Sequence, residues 1–223
     1  MEYVRVKSIE DPNFAAMHGM MTKIFPPEEV LAYELWKEPI ADPSIHVYVA
    51  IEGGEVVGAT EYRYYPELRV AMTDFTIISA LSKGIGRFLF VERQKDLVRL
   101  QAASGSVAHG MFAEIYNPQA TASHSFGEVL AMHPAVRREV LSHLGYRKLD
   151  ITYVHPSWDH EGKAVTGLDL GFLPADHATT HIPASLVTAF LKTYYEVLPN
   201  KPKEWLNMIA ELETRSDIEL MPL

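Results

Sequence analysis

Between His46 and Ile78 three strand-like runs follow one another with almost no chain between them. "HVYVAIE" (46–52) meets "EVVGATEYRYY" (55–65) across Gly53-Gly54, and Pro66-Glu67 separates that run from "LRVAMTDFTII" (68–78). A two-glycine connection closes a hairpin, and neither connection has the dozen residues that a parallel crossover requires. An antiparallel meander is therefore imposed, and the rest of the chain must be arranged around it. The fold class expected is α+β, a mixed and mostly antiparallel central sheet flanked by helices.

A first strand is expected over 2–9 and, after Asp11-Pro12, a helix over Phe14 to Phe25. Pro26-Pro27-Glu28-Glu29 puts proline in a first turn and acids on the positive end of a helix dipole, which predicts a second helix to about Glu38. Behind the meander, Arg87 to Ala102 carries apolar residues with charges clustered between them, as a helix lying on a sheet does. "MFAEIYN" (111–117) reads as a strand, and 118–133 has no regular pattern. Pro134 starts another helix, which Gly145 ends in the C′ role. Strands are expected at 148–156, 165–172 and 217–220, and helices from Pro183 and over 203–213. Residues 1–173 read as one domain and 174–223 as a C-terminal extension packed on it.

Composition works by exclusion. No run approaches the ~18 apolar residues of a membrane span, and "MEYVRVKSIEDP" lacks the layout of a signal peptide. With no cysteine there is no disulfide, no thiolate metal site and no cysteine nucleophile. A net charge of −9 without any Lys/Arg run speaks against nucleic acid and leaves a mild attraction for cationic small molecules. No membrane partner is expected, and the cytoplasm is the default location. His177 and His181 stand four apart, but Pro183 follows too soon for both to share a helix, so no metal is expected.

Directly after the meander comes "SALSKGIGRFLF" (79–90). A Walker loop would end in Gly-Lys-Ser/Thr where this chain has Gly86-Arg87-Phe88, and a dinucleotide fingerprint would want a small residue where Leu89 stands. The window Leu81-Ser82-Lys83-Gly84-Ile85-Gly86 resembles the Arg/Gln-x-x-Gly-x-Gly/Ala signature of the GCN5-related N-acetyltransferase (GNAT) superfamily, with Leu81 in place of the Arg or Gln. The element order from 2 to 173 is similar to that of the superfamily, and "SHLGYRKL" (142–149) resembles the end of its fourth helix.

That resemblance implies a fold, a coenzyme and a reaction: acetyl-CoA as donor and a primary amine of a small molecule as acceptor, in direct ternary-complex transfer. It implies backbone N–H groups of Ser82, Lys83, Gly84, Ile85, Gly86 and Arg87 around the pyrophosphate, and backbone pairing of Thr76, Ile77 and Ile78 with the pantetheine arm. Asn117 is a second polar contact in this reading. The family often has a tyrosine acid four residues before the Gly-aromatic pair, where this chain has Leu141. The remaining candidates are carboxylates: Asp74 on the fourth strand, Glu114 on the fifth, and Glu61 on the third as a weaker one. Glu114 and Tyr116 share a strand face and would act as base and acid. A catalytically silent acyl-CoA-binding or regulatory module stays open as the alternative. The extension could cover the acceptor cleft or build a homodimer contact, and the sequence does not choose.

Overall fold

The meander forms as its glycines require. Gly53 and Gly54 take φ of 60° and 85°, the left-handed pair of a type I′ turn, and join β2 (Ile45–Glu52) to β3 (Glu55–Tyr65). The computed structural model describes residues 1–25, 30–79, 84–120, 133–158 and 161–223. These fall into two units, the first of residues 1–108 and 125–136, the second of 109–124 and 137–223.

In the first unit β1 (Glu2–Val6) pairs with β2, β2 with β3, and β3 with β4 (Val70–Ile78), all antiparallel. β4 starts two residues later than the sequence predicts, because Arg69 takes a left-handed φ of 54° and closes the turn back to Pro66. On one face lies α1 (Pro12–Ile24), capped by Asp11, whose carboxylate accepts from the Asn13 N–H at 2.9 Å. It buries Phe14, Met17, Met21 and Ile24 against Val47, Val49, Ala59, Phe75 and Ile77. Each such side chain contributes about 1.5–3 kcal/mol.

The helix expected to run to Glu38 is replaced by a 3₁₀ turn, Tyr33–Trp36, and a short α2, Lys37–Ala41. The opening Pro26-Pro27-Glu28-Glu29 lies outside the described residues. Pro39 lies in the first turn of α2, where its missing N–H is tolerated. The opposite face of the sheet carries α3 (Ile85–Ser104). Ile85 and Leu89 pack there with Ala50 and Val57.

The second unit is also an antiparallel sheet with helices. β5 (Gly110–Tyr116) pairs with β9 (Leu168–Pro174), β9 with β6 (Arg147–Leu149), β6 with β11 (Asp217–Pro222), and β11 with β10 (His181–Pro183). β7 (His155–Pro156) and β8 (Ala164–Val165) form a separate ribbon. α4 (Pro134–His143) ends in a Schellman cap, with the Gly145 N–H on Ser142 O and the Tyr146 N–H on Leu141 O, both at 3.0 Å. α5 (Ala184–Tyr194) and α6 (Lys203–Leu212) follow in the C-terminal part.

Two expected strands are each divided. The run 148–156 breaks after Leu149, where the Ile151 N–H turns back onto Leu149 O at 2.9 Å, a three-residue turn that ends the ladder. The run 165–172 breaks at Gly167, whose φ of 95° no extended residue adopts. Among the described residues no helix is long and apolar enough to cross a membrane.

Candidate functional site

α3 begins on bare backbone. Gly84 is its N-cap with φ of 71°, and among the described residues no side chain caps the helix or accepts from its first N–H groups, those of Ile85, Gly86 and Arg87. A Cβ built at Gly84 or Gly86 would meet no described atom within 4 Å. Glycine at 84 answers to its φ. Glycine at 86, inside the first helical turn, answers to nothing among the described residues, and it costs the helix about 0.5–1 kcal/mol relative to alanine. Arg87 is exposed and has no ion-pair partner among the described residues. Ile85 is 1 % exposed and turned into the core, so only its backbone is available to a ligand. Ser82 and Lys83, with Leu81, lie outside the described residues.

Gly58 on β3 sets how closely α3 lies on the sheet. A Cβ there would stand 2.7 Å from Ile85 Cγ2 and 3.0 Å from Leu89 Cδ1, so the missing methyl is the notch that seats the first turn of α3.

Below that turn, Arg93 is 3 % exposed. Its Nη1 donates to Thr76 Oγ1 at 2.7 Å and to Thr60 Oγ1 and Thr73 Oγ1 at 3.0 Å each. Thr76, expected to line the pantetheine arm, thus has its hydroxyl engaged inside the unit, and Ile77 is fully buried. Opposite them on β3, Thr60 faces Thr76, Ala59 faces Ile77 and Gly58 faces Ile78. Arg93 escaped the sequence reading although the signal was present: it stands four residues from Leu89 and Leu97, on the buried stripe of α3.

The β3–β4 ladder slips between Glu61 and Tyr62, which face Phe75 and Thr73, so Asp74 is the inserted residue of a β-bulge. Glu61 is 3 % exposed beside it. Burial first, then the charge of Asp74 and its hydrogen bond with Asp74, push the Glu61 carboxyl well above the usual range, with Arg63 opposing. Asp74, exposed, therefore has a neutral carboxylic acid for a neighbour.

In the second unit, β5 turns Phe112, Glu114 and Tyr116 to one face. Phe112 stacks on Phe190 of α5, with ring centroids 4.1 Å apart. Two residues along β5, Glu114 meets the end of the same helix. Its Oε1 accepts from the Tyr153 hydroxyl at 2.6 Å and from the Tyr195 hydroxyl, and the two phenol oxygens are 2.7 Å apart. Tyr195 is fully buried, and that burial, followed by the charge of Glu114, pushes its phenol well above its ordinary range, so it remains a donor. Glu114 itself is half-buried and has no cationic partner among the described residues.

Tyr116 shares the face and is 7 % exposed. The hydroxyls placed on Glu114 come instead from Tyr153 and Tyr195, which no spacing rule connects with position 114. Asn117 folds on itself: its Oδ1 accepts from the Gln119 N–H at 3.0 Å, and its own N–H reaches Gly167 O at 2.8 Å. His177 lies in a turn and His181 opens β10, so the two do not share a helix. Leu141 sits in the last turns of α4 and is half-buried.

No protein-family model matches the sequence, and no curated protein matches it significantly. Solved structures do resemble it. A Bacteroides thetaiotaomicron protein assigned to the GNAT family of acetyltransferases superposes with a TM-score of 0.59 at 12% identity, over 88% of this chain and 97% of that one. An aminoglycoside 6′-N-acetyltransferase complexed with coenzyme A gives 0.50 at 16% identity, over 77% of this chain and 95% of that one. At such identities the likeness is one of fold: the chain has the GNAT fold, mixed α+β with a mostly antiparallel sheet flanked by helices.

Proposed function

We propose, with the GNAT fold as premise, that this chain is an acetyl-CoA-dependent N-acetyltransferase acting on a primary amine of a small molecule. The observation that carries the reading is the start of α3, where a glycine pair leaves the first N–H groups without a described side-chain cap and the surrounding described space open. Such an end attracts a pyrophosphate through converging N–H donors and through the helix dipole, worth about 0.3–1 kcal/mol at an exposed site. Ser82 and Lys83 would extend the cradle, and Arg87 would add a charge. Thr76 to Ile78 would serve the pantetheine arm through backbone groups, since the Thr76 hydroxyl is already engaged by Arg93.

The reaction asks little covalent work of the protein. An ammonium gives one proton to a carboxylate, for which Glu114 and Asp74 are the candidates. The freed amine attacks the thioester carbonyl, the C–N bond forms and the C–S bond breaks. The second nitrogen proton goes to the departing thiolate, and Tyr116 stays a candidate acid. Cytoplasmic action on a soluble amine is part of the same reading.

Gly86→Leu tests it. No described atom lies within 4 Å of the new Cβ and leucine favours helix, so folding stability should hold or rise slightly. The rise in melting temperature that acetyl-CoA gives the wild type should disappear, and an unchanged shift would remove the assignment. One observation favours a second reading. Leu141 offers no hydroxyl where the family often has its acid, as expected of a module that binds acyl-CoA without transfer. Acetyl-CoA stabilisation with no thiol release across an amine panel would select that reading.

A further inference from the structure

The carboxylate of Glu114 is held from one side. Among the described residues its two side-chain hydrogen bonds both fall on Oε1, both from neutral phenols, and no Lys, Arg or His balances its charge. Donors on the second oxygen and a positive charge nearby would stabilise such a half-buried carboxylate. The oxygen triangle of Glu114, Tyr153 and Tyr195 also makes three short contacts with only two phenol protons to fill them.

The wall beside this triangle is aromatic. The His155 ring stacks between Tyr153 and Tyr195, at centroid distances of 6.1 and 6.0 Å. Trp158 lies 5.7 Å from the Tyr195 ring and 5.8 Å from that of Tyr194, and at 39 % exposure it is the member of the group open to solvent. An exposed indole leading by one ring to an unbalanced carboxylate is the environment that attracts an organic cation.

We infer that Glu114, Tyr153 and Tyr195 form an alkylammonium-binding site, with Trp158 on its approach and Tyr195 bringing the C-terminal segment into acceptor recognition. The site rests on the transferase reading only for its chemistry. There Glu114 takes one proton from R–NH₃⁺ on Oε2, giving R–NH₂ and a carboxylic acid, while Oε1 keeps its two phenol donors. Tyr153 and Tyr195 are positioning residues: they hold Oε1 so that Oε2 is the oxygen presented to nitrogen.

Titration with n-butylammonium chloride at constant ionic strength, followed by tryptophan fluorescence, tests the site without acetyl-CoA. The expected result is a saturable change that n-butanol does not produce and that Trp158→Phe abolishes. Glu114→Gln should weaken the ammonium at least tenfold, and Tyr153→Phe and Tyr195→Phe several-fold, each with an unchanged far-UV circular dichroism spectrum. The absence of a saturable response, an equal response to n-butanol, or full affinity in Glu114→Gln overturns the site. In thiol-release kinetics, Tyr195→Phe should lower kcat/KM for the amine about tenfold and leave KM for acetyl-CoA unchanged, and equal loss in both overturns the positioning role. Ammonium binding without any thiol release would support the site while removing the transferase reading.

Discussion

Two glutamates on central strands show how strongly surroundings divide one residue type. Glu61, in the first unit, is buried against another carboxyl group and has been driven towards its neutral form. Glu114, in the second, is half-buried, has two phenols donating to one oxygen, and has no acid as a partner among the described residues. The first environment holds a proton, and the second presents a half-buried carboxyl to two neutral donors. Separated environments of this kind assign acid and base roles within a single fold, and here they favour Glu114 over the Glu61–Asp74 pair as the group that receives a proton from an ammonium.

The largest effect that would break this comparison is on turnover. Glu114→Gln should reduce amine-dependent thiol release about 100-fold or more, the usual range for a lost general base, while the acetyl-CoA melting shift is kept. Asp74→Asn should cost less than tenfold. Reversed magnitudes would move the base to β4.

A smaller effect sharpens the Glu61 side. A carboxyl whose pKa is raised by folding contributes its stability below the unfolded value, ~4.3, and loses it as pH rises through the folded value. Glu61→Gln carries a neutral group at every pH. Urea denaturation should therefore find it close to the wild type near pH 4 and increasingly more stable than the wild type as pH rises to 8. Parallel curves for the two proteins would mean that Glu61 is ionised in the fold.

The smallest effect belongs to His46, also in the first unit. It is 4 % exposed and stacked on Tyr62 at 5.3 Å, and burial first, then the charge of Arg5, push its imidazole down to about 4, with Asp96 opposing. A depressed histidine keeps the fold stable above the unfolded value, ~6.5, and removes stability as pH falls from there towards 4. The slope is at most on the order of 1 kcal/mol per pH unit. His46→Gln, whatever its stability at pH 7, should lose less between pH 6.5 and 4 than the wild type does, by thermal melts.

The parts of the molecule that follow from local chemistry were legible in the chain. Gly53-Gly54 dictated a hairpin, Gly145 a helix stop, and the Gly84–Gly86 window an uncapped helix start. The strands that divided did so through single backbone groups. Gly167 takes a left-handed φ, and Asp150 is the corner of a three-residue turn. The setting of Glu114 was illegible for a different reason. Its partners stand 39 and 81 residues away, and only the packing of α5 on β5, through Phe190 on Phe112, delivers Tyr195 to it. Arg93 lies between these cases: its spacing placed it in the core, but three threonines as its companions needed the β4 bulge to be seen.

The hydrogen atom that stands for a side chain at Gly58 gauges how deep the first turn of α3 sits. A single added carbon there would shim the helix outward and carry the N–H groups of residues 85 to 87 with it. The alignment of the proposed phosphate cradle is thus decided on a neighbouring strand, at a position that never needs to touch coenzyme. A chain that had to accept a bulkier or differently charged donor could retune the cradle from beneath, without altering any residue of the loop itself.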